Sequence, residues 1–348
     1  MIRVGIIGAA GYAGAELIRY LAIHPVAKIA YLVSDSSEGK PISEVYPSFL
    51  GQDLPLCEKY SIERVKELCD FVFTVRGNGG AMAIAREILD AGIKMIDVPA
   101  DFRLKDPEVF QKFYKIPHTE PELLKEAVYA IPELRREQIK TARLAANPGC
   151  YATCSILSLA PLVRGGYIDL DSIIIDAKSG VSGAGRSKLS VPGLFAETNE
   201  GFKAYGVTTH RHTPEIEQEF DSLSGGSAHI SFTPHLVPMN RGILATCYAT
   251  YTKETLSGEA LHEIYADFYK DAFFVRVLPA GAQPVSKCVS GTNFCHIGTA
   301  SDERCNRCII TGVIDNMGKG AAGQAVQNFN LMNGLDETAG LTMPAVYP

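Results

Sequence analysis

The sequence predicts a two-domain protein in which an α/β domain with a doubly wound parallel sheet is followed by an α+β domain. Three observations support this prediction. The 348 residues exceed the roughly 250–300 at which a single hydrophobic core stops growing. Short apolar strands alternate with helices as far as Pro148-Gly149. After that dipeptide, strand-like segments dominate, which favours a mixed or antiparallel sheet.

The elements of the first half follow from short β-rich runs separated by helical patterns. Predicted strands cover residues 2–7, 28–33, 71–75 and 93–98. Predicted helices cover residues 15–22, which stop before Pro25, and 82–89, which end at Gly92. Strands alternating with helices in this way are typical of parallel β-α-β units.

The second half contains longer alternating strands and fewer helices. Predicted strands cover residues 173–177, 228–232 and 243–251, and predicted helices cover 152–163 and 256–269. A helical tail at 320–331 is rich in Ala, Gln and Asn.

Composition excludes several classes of function. The net charge is −6 and no Lys/Arg run stands out, so nucleic acid is not an expected partner. No apolar run reaches the roughly 18 residues of a membrane span, and no secretory signal is evident. Nine scattered cysteines then favour reduced thiols in the cytoplasm. A single C-x-x-C pair, Cys305 and Cys308, does not amount to a metal site, so we expect none.

A glycine turn follows the first predicted strand. Gly8, Gly11 and Gly14 have the spacing G-x-x-G-x-x-G, with Tyr12 between them, and a helix begins directly afterwards. This is a variant of the Rossmann dinucleotide fingerprint, in which glycines let the backbone approach a pyrophosphate at a helix N-terminus. The alternative is a tight βα turn without a ligand.

The residues after the second predicted strand bear on the choice of cofactor. Asp35 can accept hydrogen bonds from the ribose hydroxyls of NAD, whereas Ser34, Ser36 and Lys40 can hold the 2′-phosphate of NADP. Residue chemistry alone leaves both cofactors open.

A cysteine stands at the predicted start of a buried helix. Asn147-Pro148-Gly149 forms a turn that places Cys150 in the first helical turn, where the helix dipole favours a thiolate nucleophile. The alternative is an inert buried thiol. Cys154, one turn later, is interpreted as a core residue.

Two further segments carry groups that suit catalysis. His210-Arg211-His212 precedes a helix start, and a histidine can serve as acid or base beside a cysteine nucleophile. A glycine-serine loop at 178–186, with Lys178 and Arg186 at its ends, offers backbone N–H groups to a phosphate. A solvated histidine pair and a flexible surface loop are the alternatives.

In combination, these motifs resemble the N-acetyl-γ-glutamyl-phosphate reductase family over nearly the whole chain. The resemblance is strongest in residues 8–17, 97–104, 147–153, 178–186, 210–218, 235–242 and 315–330. It implies a semialdehyde dehydrogenase-like fold, with an NADP-binding Rossmann domain of residues 1–149 completed by 316–348. It also implies a catalytic and dimerisation domain of residues 150–315, and a homodimer or homotetramer acting on a small-molecule substrate.

The resemblance also implies roles for individual residues. Cys150 is the expected nucleophile, with His210 as acid/base and His212 beside it. The Ser34 match favours NADP, although Asp35 would suit NAD. The cofactor-binding candidates are Gly8, Gly11, Tyr12, Gly14, Ser34, Ser36, Lys40, Ser182, Gly183 and Asn316. The candidates for binding substrate or phosphate are Arg103, Asn147, Ser179, Arg186, Arg211 and Glu215.

The implied reaction is NADPH-dependent reduction of N-acetyl-γ-glutamyl phosphate to the 5-semialdehyde through a cysteine thioester, in arginine biosynthesis. Two alternatives stay open. One is a sister reductase of a carrier-protein-bound aminoadipyl or glutamyl phosphate in lysine biosynthesis. The other is a non-catalytic NADP-sensing protein.

One segment departs from the family pattern. After the strand at 71–75 the family carries Leu-Pro-His-Gly or Leu-Pro-Asn-Gly, whereas this chain has Arg76-Gly77-Asn78-Gly79-Gly80. We expect a looser loop with an added positive charge near the cofactor, and hence an altered cofactor affinity.

Overall fold

A computed structural model describes residues 1–186 and 195–346, which form two compact units. The first unit comprises Met1–Pro148 and Ala321–Thr342, with residues 185 and 186. The second comprises Gly149–Ala184 and the described parts of 188–320 and 343–348. Residues 187–194 of the predicted catalytic domain, and 347–348 of the predicted C-terminal segment, lie outside the described residues.

The elements are numbered in chain order. The strands are β1 (Ile2–Ile7), β2 (Ala27–Val33), β3 (Cys57–Glu58), β4 (Phe71–Thr74), β5 (Lys94–Asp97), β6 (Val128–Tyr129), β7 (Leu144–Ala146), β8 (Ile174–Ser179), β9 (Lys203–Ala204), β10 (Ser231–Leu236), β11 (Ile243–Thr250), β12 (Val275–Val277), β13 (Cys295–Asp302) and β14 (Arg307–Ile314). The helices are α1 (Tyr12–Leu21), α2 (Ile62–Leu68), α3 (Ala85–Asp90), α4 (Pro107–Tyr114), α5 (Pro121–Glu126), α6 (Pro132–Thr141), α7 (Cys150–Arg164), α8 (Phe195–Thr198), α9 (Thr213–Ser224), α10 (Gly258–Phe268) and α11 (Gly323–Met332).

The first unit is built on the predicted parallel sheet. Its strand order is β3-β2-β1-β4-β5-β7-β6, and every adjacent pair is parallel. The strands β1 and β4 end in four-residue buried runs, as expected for strands covered on both faces. The chain goes from β1 to β2 and β3 on one side, and then crosses to β4 on the other side of β1. The carboxyl ends of β1 and β4 therefore form the topological switch point. Ligands of such sheets bind there.

The helix predicted at 82–89 begins later, at Ala85. The preceding amides are held by a buried carboxylate: Asp101 accepts hydrogen bonds from the N–H groups of Gly79, Ala81 and Met82 at 2.8, 2.9 and 3.1 Å. These bonds replace the first turn of helix. They also anchor the end of the Arg76–Gly80 loop, which the sequence predicts to be loose.

Helix α11 completes the core of the first unit although its buried residues include several amides. The Asn328 side chain donates to the carbonyl oxygen of Ala130 at 2.9 Å. Asn330 donates to the carbonyl oxygen of Ala339 at 2.9 Å, and its oxygen lies 2.9 Å from Nε2 of His24. Buried polar groups are stable when bonded in this way, so α11 is fixed in one register.

The second unit contains a mixed sheet, with strand order β12-β13-β14-β11-β8-β10-β9. The β8–β10 and β12–β13 pairs are parallel and the others antiparallel. Residues of β11 alternate between buried and half-buried, and α7 packs against β11 and β14. This unit therefore confirms the predicted α+β class.

Candidate functional site

Helix α7 begins at Cys150, so the thiol lies at its first residue. Gly149 is the N-cap, with an extended backbone (φ −68°, ψ 148°) and no capping side chain. The helix is buried from Tyr151 to Val163, whereas Cys150 is partly exposed. Cys154 is buried, as predicted for a core residue. The first N–H groups of a helix have no intrahelical acceptor, so they can face a ligand at the thiol.

The turn before Cys150 is fixed by a buried carboxylate. The N–H of Gly149 donates to Oε1 of Glu215 at 2.7 Å, and Glu215 is fully buried in α9. The Gly149 amide is thus already used inside the protein. The N–H groups of Cys150, Tyr151 and Ala152 are the remaining donors of the first turn that can face a developing oxyanion.

A glycine allows close approach to the thiol from the segment before α11. A Cβ atom placed on Gly320 would lie 2.7 Å from Cβ of Cys150. The N–H of Gly320 donates to the carbonyl oxygen of Asp315 at 2.9 Å, which holds this backbone in place. Only a residue without a side chain fits at 320 without moving Cys150.

The histidines lie in an aromatic cluster next to the start of α7. The ring of Tyr151 is 5.6 Å from His210 and 6.0 Å from His212, both edge-on. The ring of Tyr205 lies 5.6 Å from His210, and its hydroxyl donates to that of Tyr151 at 3.1 Å. Since Tyr151 follows Cys150 directly, the structure brings Cys150, His210 and His212 into one region.

The protonation state of His210 follows from two observations. Burial, reinforced by the neighbouring charge of Arg211, lowers the pKa of His210 to about 4. Its Nδ1 accepts the backbone N–H of His212 at 3.1 Å. The ring is therefore neutral near pH 7, and its proton is on Nε2, which makes His210 a hydrogen-bond donor there.

Three predicted cofactor-binding residues of the second unit form a connected group. The side-chain nitrogen of Asn316 donates to Oγ of Ser182 at 2.9 Å, and its oxygen accepts from the N–H of Gly242 at 2.8 Å. A Cβ atom on Gly183 would lie 3.6 Å from the Asn316 nitrogen and 3.3 Å from Oγ of Ser179. The glycine-serine loop is thus packed on Asn316.

The glycine turn of the first unit is compact and needs its glycines. Gly8 has φ +106°, in the left-handed region. A Cβ atom on Gly14 would lie 2.5 Å from the carbonyl oxygen of Ala9, so a side chain there cannot be accommodated. Gly11 caps α1 without a side chain, and Tyr12 begins the helix. The turn fits a pyrophosphate at the N-terminus of α1.

The residues at the end of β2 show a charge arrangement that the sequence does not reveal. Oγ of Ser34 and Oγ of Ser36 lie 3.3 Å apart, and Asp35 forms an ion pair with Arg76 at 3.1 Å. Lys40 instead pairs with Glu44 at 3.6 Å.

Other predicted residues make their contacts within the first unit. Arg103 is buried and donates to the carbonyl oxygens of Asn147 and Val98, each at 2.8 Å. The side chain of Asn147 donates to the carbonyl oxygen of Ala321 at 3.1 Å. Arg186 belongs to this unit and donates to the carbonyl oxygen of Ala10 in the glycine turn at 3.4 Å.

The sequence interpretation missed Tyr205 and Gly320 as neighbours of the site. Tyr205 has no motif of its own, whereas Gly320 lies in a stretch that resembles the family. Among the described residues, no cluster of His, Cys, Asp and Glu could hold a metal ion. None of the helices described is both long enough and apolar enough to span a membrane.

Family models match most of the chain. The model of the semialdehyde dehydrogenase NAD-binding domain matches residues 3–142, and that of the semialdehyde dehydrogenase dimerisation domain matches residues 150–316.

Similar sequences and structures were also found. The chain is 50% identical over 348 residues to N-acetyl-gamma-glutamyl-phosphate reductase of Desulforudis audaxviator, with all of both chains covered. It is 50% identical over 347 residues to the enzyme of that name from Pelotomaculum thermopropionicum, covering 100% of this chain and 99% of the relative. The fold is similar to Vibrio cholerae aspartate semialdehyde dehydrogenase II complexed with ASA (TM-score 0.73, 17% identity, 96% and 98% covered). It is equally similar to aspartate semialdehyde dehydrogenase with NADP from Candida albicans (TM-score 0.72, 16% identity, 96% and 98% covered).

Proposed function

The chain belongs to the semialdehyde dehydrogenase family, and on this premise we propose that it reduces N-acetyl-γ-glutamyl phosphate to N-acetylglutamate 5-semialdehyde in arginine biosynthesis. Two relatives that share half of its residues over the full length have the corresponding name. The observation that supports this chemistry most directly is the thiol of Cys150 at the first residue of a buried helix.

Cys150 acts as the nucleophile. Its sulfur attacks the γ-carbonyl carbon of the acyl phosphate, the carbon–oxygen bond to phosphate breaks, and phosphate leaves with the bonding electrons. A helix N-terminus bears about half a positive elementary charge, which favours the thiolate and the developing oxyanion. The N–H groups of the first turn of α7 stabilise that oxyanion, and one such donor contributes about 3–4 kcal/mol in other enzymes.

His210 acts as a hydrogen-bond donor at the site rather than as a base toward the thiol. Because its ring is neutral with the proton on Nε2, it can donate a hydrogen bond to the substrate oxygen that becomes negative. Tyr151 and Tyr205 enclose the ring and fix its orientation.

The residues of the glycine turn fit a dinucleotide, since Gly8 and Gly14 leave no room for side chains and α1 presents its N-terminus. Gly8, Gly11, Gly14 and Ser34 would hold NADP in the first unit. When bound and reduced, this cofactor supplies the hydride that converts the thioester to the aldehyde.

We assign cofactor binding to residues 1–149 with 316–348, and catalysis and oligomerisation to 150–315. We place the reaction in the cytoplasm, because none of the nine cysteines is in a disulfide in the structure. The match to a dimerisation domain supports a homo-oligomer.

The test measures NADP reduction by the purified protein with N-acetylglutamate semialdehyde, with and without inorganic phosphate. We expect phosphate-dependent NADPH formation that disappears in Cys150→Ser. Cys288→Ser is the matched control, since Cys288 is an exposed cysteine. If the wild type binds NADP but shows no turnover, the proposal that the enzyme acts on the free N-acetylated substrate is wrong. A carrier-bound substrate or a sensor would then be the better hypothesis.

A further inference from the structure

An ion pair connects the loops that follow β2 and β4, the two strands on either side of β1 in the parallel sheet. Nη2 of Arg76 lies 3.1 Å from Oδ2 of Asp35, and these residues follow β4 and β2 respectively. The Arg76 guanidinium is 5.7 Å from the centre of the Tyr60 ring. The Asp35 side chain is 68% exposed and that of Arg76 27%, so the carboxylate is open to solvent while the arginine is partly enclosed.

The backbone at Arg76 lies against the glycine turn. A Cβ atom on Gly8 would lie 2.8 Å from the carbonyl group of Val75 and 3.1 Å from the nitrogen of Arg76. The N–H groups of Gly8 and Ala9 both donate to the carbonyl oxygen of Val33, at 3.0 and 2.9 Å. The turn, the end of β2 and the start of the Arg76 loop are therefore fixed relative to one another.

This arrangement places an acidic side chain, which favours NAD, beside a basic side chain, which favours NADP. In Rossmann domains an acidic residue at the end of the second strand accepts from the ribose 2′-hydroxyl of NAD, whereas a nearby arginine accommodates the 2′-phosphate of NADP. Here Asp35 and Arg76 provide both groups, and they form an ion pair with each other.

We propose that Arg76 is the residue that makes this chain prefer a 2′-phosphorylated cofactor, and that Asp35 limits this preference. The inference rests on the proposed function as a nicotinamide-dependent reductase. An exposed ion pair contributes little to stability, so a phosphate can replace Asp35 as the partner of Arg76. Arginine binds phosphate through two parallel, charge-assisted hydrogen bonds from two nitrogens. The contacts with Asp35, at 3.1 and 3.5 Å, both come from one nitrogen, Nη2, and do not match that geometry.

The serines beside Asp35 support this assignment. Ser34 is buried and Ser36 is exposed, and their hydroxyl oxygens are 3.3 Å apart, so both can donate to one phosphate. Lys59 is paired with Glu38 at 2.8 Å and Lys40 with Glu44 at 3.6 Å. Arg76 is paired with Asp35, which stands between the two serines in sequence, so it supplies a positive charge there, whereas Asp35 opposes a phosphate.

The experiment measures binding by isothermal titration calorimetry with 2′,5′-ADP and 5′-AMP, which differ in the 2′-phosphate alone. We expect Arg76→Leu to weaken 2′,5′-ADP binding at least about tenfold and to change 5′-AMP binding less than about twofold. Asp35→Asn should strengthen 2′,5′-ADP binding by removing the competing charge. Arg64→Leu is the matched control, because Arg64 is also a partly exposed, ion-paired arginine of this unit.

If Arg76→Leu weakened the affinity for both ligands equally, with an unchanged melting temperature, the inference would be overturned. Unchanged affinity for both ligands would overturn it as well. Because no substrate is present, the result does not depend on reductase activity. Selective loss of 2′,5′-ADP binding in a protein that fails the turnover assay would refute the proposed function alone. Turnover with NADP that survives Arg76→Leu without a change in KM would refute the present inference alone.

Discussion

Two glycines and a buried carboxylate fix the backbone around Cys150. Gly149 caps its helix without a side chain, and Gly320 approaches it so closely that a methyl group would collide. Glu215 acts on the turn through the N–H of Gly149 at 2.7 Å. The position of the nucleophile therefore depends on these two glycines and on Glu215.

The protonation of His210 gives a prediction for stability. In the unfolded chain a histidine titrates near 6.5, whereas in the folded protein the pKa of His210 is about 4. Between these values the unfolded state binds more protons. The free energy of unfolding should therefore fall as the pH drops from about 6.5 toward about 4.

Urea denaturation of the wild type and of His210→Asn across this pH range checks the prediction. The pH dependence should be smaller in the variant, while His229→Asn, at a histidine that is 75% exposed on its side chain, should retain it. An identical pH dependence in wild type and His210→Asn would show that His210 does not titrate as the structure indicates.

The sequence predicted the position of Cys150 but not all of its neighbours. Asn147-Pro148-Gly149 is a local turn signal, and it places the thiol at the helix start without reference to the rest of the chain. Tyr205 and Gly320 are distant in sequence and have no local pattern that relates them to Cys150. Contacts of this kind depend on the packing of the whole unit.

At the level of elements, α7 is held in place by its packing on the mixed sheet. Gly312 in β14 faces the helix, and a Cβ atom there would lie 2.1 Å from Oγ of Ser158 and 3.2 Å from Sγ of Cys154. Ser158 itself donates to the carbonyl oxygen of Cys154 at 2.7 Å. The helix and the strand are thus as close as a glycine permits.

Gly312→Ala should therefore lower the free energy of unfolding by about 1–3 kcal/mol, because it overpacks this contact. Urea denaturation measures the change. Gly258→Ala is the control, since a Cβ atom at Gly258 meets nothing within 4 Å. Ser158→Ala combined with Gly312→Ala should recover part of the loss, and a purely additive loss would argue against a direct collision.

Gly320→Ala should act on catalysis. The added methyl group must displace Cys150, since the atom it meets at 2.7 Å is Cβ of that residue rather than the end of a flexible side chain. A displacement of this kind should reduce kcat by at least about tenfold. Steady-state kinetics of Gly320→Ala and of the control Gly258→Ala measure the effect, and circular dichroism checks that both variants fold. An unchanged kcat in Gly320→Ala would show that the contact does not matter.

The sequence predicted elements well where the apolar runs are continuous. Strands β1, β2, β4 and β5 lie within one residue of their predicted ends. Strand β10 was predicted at 228–232 but runs from Ser231 to Leu236, because Pro234 interrupts the strand pattern. Pro234 is tolerated since the neighbouring strand β9 has two residues, Lys203 and Ala204.

At the scale of the whole molecule, the mixed sheet has a face that suits a second copy of the chain. Tyr248 of β11 pairs in register with Ile174 of β8 and Ile309 of β14, and none of the three is buried. Together they form an apolar row across three strands, on the face opposite to the buried residues of β11. Large exposed apolar patches often mark interfaces, and this region matches a dimerisation domain.

We predict that the wild type is a homo-oligomer of the 37.6 kDa chain and that Ile309→Lys reduces its mass toward that of one chain. A buried, unpaired ammonium would disfavour the interface. Light scattering after size-exclusion chromatography measures the mass. Ile23→Lys, at a residue of the first unit that is 56% exposed, should leave the measured mass unchanged. A wild type of single-chain mass would contradict the prediction.

The buried amides of α11 have a consequence for how the protein is made. The first unit includes Ala321–Thr342, which the ribosome synthesises after Gly149–Gly320. Until then, Ala130 lacks its Asn328 donor and His24 lacks Asn330. The nascent chain therefore carries the parallel sheet without helix α11 throughout the synthesis of Gly149–Gly320. During that interval the strands are exposed to chaperones and to aggregation.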